Sequence, residues 1–314
     1  MTRVGAVDCG TNSIRLLVAD RAVDGLRDLH REMVVVRLGQ GVDATGRFAD
    51  EAIERTRAAL AGYAATMRDL GVQRVDMVAT SATRDAANRD EFFAMTAELL
   101  GTVVPGAVAR VISGDEEARL SFRGAVGDLD PALGPFAVTD LGGGSTELVV
   151  GDASGVRAAY SANVGCVRTT ERCLPGDPPG EDEIAAAQAF IDERLAPAFA
   201  AVDVSDVRTW VGVAGTMTTL AALALDLPEY DPQRIHLARV PLGQLEQICW
   251  SLVDMPRARR AELGVMHPGR VDVIGAGALV TDALAKQMSR RAGIDELVVS
   301  EHDILDGIAL NLLD

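Results

Sequence analysis

F-A-V-T-D-L-G-G-G-S-T-E-L-V-V-G-D, residues Phe136 to Asp152, decides how the rest of the chain is read. Two apolar, largely β-branched runs, Phe136 to Thr139 and Thr146 to Val150, flank a turn holding Gly142, Gly143 and Gly144. Runs of this kind on either side of a glycine turn predict the two strands of a hairpin. Glycine has no Cβ and tolerates positive φ, so three in succession let backbone N–H groups close on an anion. Asp140 ends the first strand and Glu147 opens the second, which brackets the cradle with two carboxylates. Carboxylates do not hold phosphate directly, but they hold Mg²⁺ or orient water beside a phosphate that the backbone holds. Taken alone, the stretch is equally a glycine-rich hairpin that binds nothing.

An echo shifts that balance. Val4 to Asp20, V-G-A-V-D-C-G-T-N-S-I-R-L-L-V-A-D, aligns with the hairpin without gaps at a constant offset of 132 residues. Asp8, Gly10, Ser13, Leu16, Val18 and Asp20 match Asp140, Gly142, Ser145, Leu148, Val150 and Asp152. Those are six identities in 17 positions, where chance gives about one. A duplicated strand–Asp-x-Gly–strand unit implies two similar half-molecules, each pointing a phosphate-binding turn at a shared cleft.

The chain has 314 residues, enough for two domains with cores of their own. An apolar content of 48% places it with globular proteins rather than disordered ones. There is no apolar run of 18 residues and no leader pattern before the first strand, so neither membrane span nor signal peptide is expected. Cys9, Cys166, Cys173 and Cys249 are scattered, which suits reduced thiols and a cytoplasmic setting. His30, His236, His267 and His302 form no metal-binding motif. The net charge of −16 argues against non-specific nucleic-acid binding. All but one of the 30 basic residues are arginine, whose planar fork suits phosphate. The exception, Lys286, follows Ala285 in a helical pattern, so no G-x-x-x-x-G-K phosphate loop exists.

Outward from the hairpins, strand and helix patterns alternate. In the first half a strand is expected over 29–38, a helix over 50–70 closed by Gly71, and strands over 75–79 and 107–112. After the second hairpin the pattern predicts a strand over 156–162, a helix from Glu181 to about residue 200 and a strand over 209–213. Helices over 242–253 and 271–287, a strand over 296–300 and a helix over 303–313 complete it. This is an α/β chain with mixed sheets.

Taken together, the motifs resemble the exopolyphosphatase / guanosine pentaphosphate phosphohydrolase family of the actin-like ATPase superfold. The resemblance spans essentially the whole chain. It rests on D-C-G-T-N-S-I-R (Asp8 to Arg15), T-S-A-T-R-D-A-A-N (Thr80 to Asn88) and I-S-G-D-E-E-A-R (Ile112 to Arg119). It continues through D-L-G-G-G-S-T-E (Asp140 to Glu147), G-C-V-R-T-T-E (Gly165 to Glu171), V-A-G-T (Val213 to Thr216) and H-P-G-R-V-D-V-I-G-A-G (His267 to Gly277). It implies two actin-like, ribonuclease H-like domains related by internal duplication, over 1–123 and 124–299, with the active site in the cleft between them. A C-terminal helix over 300–314 would pack back on the first. Asp303, Ile304 and Leu305 stand where relatives often carry Gly-Leu-Arg, so no C-terminal arginine is carried over. The chain stops at Asp314, without the all-helical extension of longer relatives, as in the short two-domain form.

Hydrolysing a phosphoanhydride requires neutralised oxygens, an in-line water and a group to take its proton. Backbone N–H groups of Gly10, Thr11, Asn12 and Ser13, and of Gly142, Gly143, Gly144 and Ser145, are candidates to cradle phosphate. Asp8, Asp140 and Glu147 are candidates to hold Mg²⁺ or another divalent ion. The resemblance places the catalytic base on Glu117 and gives Glu147 the role of orienting water or metal. The helix dipole alone also favours two glutamates at a helix start, by about 0.3–1 kcal/mol. Arg84 at a strand-to-helix turn and Arg168 near the second hairpin are further phosphate candidates, Arg168 for the distal part of a long chain. Gly212, Gly215 and Thr216 match the place where actin-like ATPases hold the far end of a nucleotide. Close helix packing explains Gly275 and Gly277 equally well. Arg119 projects from another helical face than Glu117. Cys9 and Cys166 read as small packing residues. The implied activity is Mg²⁺-dependent removal of terminal phosphate from inorganic polyphosphate by a homodimer. Hydrolysis of guanosine pentaphosphate is the alternative. An actin-like ATPase or sugar kinase, or a non-catalytic polyphosphate-binding regulator, ranks lower.

Overall fold

In the computed structural model, which describes residues 2–23 and 25–314, β1 (Arg3–Cys9) and β2 (Ser13–Ala22) form the first hairpin. The chain continues through β3 (Gly25–Val35), α1 (Val42–Thr45), α2 (Asp50–Asp69), β4 (Arg74–Ala79), α3 (Ser81–Asp85) and α4 (Arg89–Leu100). A short β5 (Arg110–Val111) and α5 (Gly114–Ala125) follow. The sheet order is β3-β2-β1-β4-β5, antiparallel through the first three strands and parallel from β1 to β5.

Both faces of this sheet are covered, which is why its inner strands are almost continuously apolar. Val7, Leu16 and Met77 join Leu60, Tyr63, Met67, Phe92 and Met95 of α2 and α4 in one cluster. Their strand neighbours Ala6, Leu17 and Val78 point to the other face and meet Leu120 of α5 with Ile304, Leu305 and Ile308. That is the period-two alternation of a strand with a core on each side.

The second hairpin is β6 (Phe136–Leu141) and β7 (Thr146–Asp152), followed by β8 (Gly155–Ala162), α6 (Cys166–Cys173), α7 (Glu181–Ala201) and β9 (Thr209–Val213). Next come α8 (Ala214–Ala224), α9 (Pro232–Ile235), β10 (Ala238–Pro241), α10 (Leu242–Asp254), α11 (Arg257–Arg260), α12 (Ile274–Ala292) and β11 (Glu296–Val299). Its sheet runs β10-β11-β9-β6-β7-β8. Read from β8, the order is that of the first sheet with β10 added at the edge, so each half has the ribonuclease H-like arrangement. The chain ends in α13 (Ile304–Leu313), which packs on α5 and β1. The units are Met1–Gly127 with Ile304–Asp314, and Asp128–Asp303. Among the described residues no helix is long and apolar enough to cross a membrane.

Duplication extends to detail that the sequence echo does not show. Cys9 pairs with Ile14 and Leu141 with Thr146, the same register displaced by the same offset. The register slips between Val18 and Ala19 where β2 meets β3, and between Val150 and Gly151 where β7 meets β8. A bulge re-aims the residues beyond it, and both halves place one at the same step.

Three expected elements differ. β3 begins at Gly25 and ends at Val35, because Val36 and Arg37 donate their N–H groups to Asn12 O instead of to a ladder. β5 shrinks to two residues, since the Ala109 amide donates to Thr96 Oγ1 at 3.2 Å. The helix expected from residue 271 starts at Ile274, after a 3₁₀ turn over Pro268–Arg270.

Candidate active site

The two hairpin turns are built alike. Gly10 N donates to Ser13 O at 2.9 Å, and Gly142 N donates to Ser145 O at 3.0 Å. Each turn is also held from behind through its carbonyls by the segment after its third strand. Gly39 N donates to Thr11 O, and Val36 and Arg37 N donate to Asn12 O. In the second unit Cys166 N donates to Gly142 O at 3.0 Å, while Val167 and Arg168 N donate to Gly143 O at 2.9 and 3.0 Å. Gly165 permits this approach: a Cβ there would lie 2.6 Å from Gly142 O and from the Gly143 carbonyl. With the carbonyls engaged, the amides of the turn face the opposite way. Among the described residues no backbone carbonyl accepts from Gly143 or Gly144 N–H. Arg168 closes over the same turn, its Nε donating to Gly144 O at 2.8 Å. The structure thus places Arg168 at the cradle itself.

Beside the turns the halves differ in charge. In the second unit Asp140, Glu147 and Ser161 stand side by side on β6, β7 and β8. Asp140 and Glu147 are 7% and 1% exposed. Ser161 Oγ donates to Glu147 Oε1 at 2.7 Å. In the first unit the corresponding row is Asp8, Arg15 and Met33. Asp8 Oδ2 accepts from Arg15 Nε at 3.0 Å and from Nη2 at 2.6 Å. Asp8 is therefore neutralised within the chain. Asp140 and Glu147 stand opposite one another on paired strands. Their hard carboxylate oxygens fit Mg²⁺ better than Asp8 does.

Glu117 is positioned by α5. Ser113 caps that helix, accepting from Glu116 N at 3.1 Å. The next residue, Glu117, turns inward and is 7% exposed, whereas Glu116 pairs with Arg110. Arg84 Nη1 donates to Glu117 Oε2 at 2.7 Å and to Ile112 O at 3.0 Å. Asp8, Arg84 and Glu117 all lie at or just beyond the carboxyl ends of β1, β4 and β5, the edge where open α/β sheets bind ligands. Arg119 faces outward and pairs with Asp115 at 3.0 Å.

At the end of β9 the chain enters α8 without a loop, and Ala214 takes φ 70, unusual for a residue with a Cβ. Gly215 follows, with the Arg270 guanidinium against it; a Cβ would lie 2.3 Å from Cζ. Arg270 also reaches Thr219 Oγ1 at 3.3 Å. Thr216 packs on Gly277. Burial pushes the Cys166 thiol up to about 11. Burial and then Asp8 push Cys9 up as well, so neither is a nucleophile near neutral pH. Burial and then Arg270 hold His267 below its ordinary value. Arg270 was not among the residues the sequence singled out. Its signal lay inside H-P-G-R-V, but nothing in spacing connects it to a glycine 55 positions earlier.

The model of the Ppx/GppA phosphatase family matches residues 17–312. The chain is 60% identical to Exopolyphosphatase 2 of Mycobacterium tuberculosis, covering 99% of each protein. Among solved structures, an exopolyphosphatase-like protein is 43% identical, with a TM-score of 0.93 over 99% of this chain and 97% of that one. The Ppx/GppA enzyme of Aquifex aeolicus is 32% identical, with a TM-score of 0.80 over 99% of both. With hairpins, helix caps and strand order in place from end to end, the chain belongs to the Ppx/GppA phosphatase family.

Proposed function

We propose that this protein is an exopolyphosphatase that removes the terminal phosphate of inorganic polyphosphate by Mg²⁺-dependent hydrolysis. Full-length 60% identity to a protein named Exopolyphosphatase 2 carries the substrate assignment. The side chains support the chemistry. N–H groups of the glycine turns bind the terminal phosphate oxygens, with Arg168 stiffening the second turn. Asp140 and Glu147 hold the ion, and Ser161 fixes the Glu147 carboxylate. When bound, Mg²⁺ supplies positive charge to offset that of the phosphate oxygens. Glu117 accepts a proton from the attacking water while Arg84 orients its carboxylate. Water oxygen bonds to the terminal phosphorus, and the bridging oxygen leaves with the shortened chain. Phosphate release from long polyphosphate, short polyphosphate, guanosine pentaphosphate and ATP, compared at one Mg²⁺ concentration, tests the assignment. The highest kcat/KM should fall on polyphosphate; turnover of guanosine pentaphosphate or ATP without polyphosphate would overturn it.

A further inference from the structure

Away from both glycine hairpins, the second unit gathers two histidines and an aspartate. Asp128, the first residue of that unit, sets Oδ2 2.6 Å from His302 Nδ1 and 3.3 Å from His236 Nε2. One donor atom from each of the three lies within 4.8 Å of the others. The imidazole centroids are 4.5 Å apart. Main-chain bonds build the site around them. His236 N donates to Pro232 O at 2.9 Å, and Leu237 N donates to Val299 O at 2.7 Å. Leu237 takes φ 60, which lets the chain pass from His236 straight into β10. On the other side His302 N donates to Ser300 Oγ at 3.1 Å, and that hydroxyl donates to His302 O at 2.9 Å.

The three donor atoms converge from three separate segments of the unit. We propose that Asp128, His236 and His302 bind a divalent transition ion of the zinc class, with water as the fourth ligand. Two imidazole nitrogens and one carboxylate oxygen favour Zn²⁺ or Co²⁺ over Mg²⁺. Ligand atoms about 2.0–2.1 Å from a tetrahedral metal lie about 3.3 Å from one another. The His236–Asp128 separation already has that value. The His302–Asp128 contact must open by about 0.7 Å, which the exposed Asp128 side chain allows. An Nε2 that binds metal leaves its ring proton on Nδ1, so loading also releases the 3.3 Å contact from Glu301 N to His236 Nδ1. Because His302 immediately precedes the last residue of the unit, Asp303, the ion would tie together the two ends of that unit's chain.

The test uses the full chain, freed of metal with a chelator and titrated with Co²⁺ in excess Mg²⁺, which occupies hard-oxygen sites. The expected result is one equivalent of Co²⁺ with the visible absorption of a four-coordinate ion, and a rise in the thermal unfolding midpoint. His302→Gln and His236→Gln should each weaken Co²⁺ binding at least tenfold. The exposed Asp128→Asn change, which leaves folding intact, should weaken it too. Failure of the parent chain to bind Co²⁺ under these conditions would overturn the proposal. So would unchanged affinity and absorption in all three variants.

Discussion

Gly165→Ala tests whether docking of α6 holds the second glycine turn in a working shape. The added Cβ would stand 2.6 Å from Gly142 O, Gly143 C and Gly143 O, where ordinary contact begins near 3.4 Å. All three atoms are backbone, so no side-chain rotation relieves the clash. The start of α6 must withdraw by about 0.8 Å, which stretches the donations from Cys166, Val167 and Arg168, now 2.9–3.0 Å, beyond hydrogen-bond range. Three weakened bonds at about 0.5–1.5 kcal/mol each predict a loss of about 1.5–4.5 kcal/mol in urea unfolding. Released carbonyls let the turn rotate, and a displacement near 1 Å at a phosphate site costs about 10²-fold in rate. The expected outcome is therefore a folded, less stable enzyme whose kcat falls by about two orders of magnitude. A variant with unchanged urea midpoint and unchanged polyphosphate turnover would refute the account of how the turn is held.

Glu117→Gln keeps the bond from Arg84 and removes the proton acceptor, so kcat should fall about 10²–10⁴-fold with KM little changed; steady-state kinetics on polyphosphate decide it. Glu147→Gln should raise the Mg²⁺ concentration for half-maximal rate by at least about tenfold, read from a metal titration. Because Arg168 grips Gly144 O, Arg168→Ala should reduce kcat/KM equally for long and short polyphosphate; a loss confined to long chains would return it to an extended groove. Arg3 first and then Arg27 lower Asp20 from its ordinary 3.8 to about 2. A carboxylate depressed in the folded state stabilises above its unfolded value and loses that contribution as pH falls. Asp20→Asn should thus flatten the decline of stability between about pH 4 and pH 2, measured by urea midpoints.

What the sequence disclosed depended on how local the cause was. Glycines between β-branched runs announce a hairpin wherever they fall, and a repeat at fixed offset announces two halves. Elements made by distant partners gave no such signal. C-V-R-T-T-E-R-C has poor helix propensity and carries no helical pattern of its own, yet α6 forms with its first amides bonded to glycine carbonyls more than 20 residues earlier. Strand β5 read as six residues and is two, because the Thr96 side chain takes an amide that alternation assigned to the ladder. Arg84 and Glu117 were each singled out, but their ion pair spans 33 positions and has no spacing signature.

The deepest difference between the halves is one of sign. Alignment at the fixed offset sets Arg15 against Glu147, which on sequence alone is one mismatch among eleven. The fold puts both on the strand facing the hairpin aspartate, at the same rung. One rung is then Asp8 with Arg15, closed by a 2.6 Å ion pair. The other is Asp140 with Glu147, two buried carboxylates on paired strands. Duplication preserved the frame, down to the bulge, while one position reversed its charge. Under the proposed Mg²⁺-dependent hydrolysis, the second hairpin, with two carboxylates on one rung where the first has an ion pair, is the place where metal dependence is to be sought.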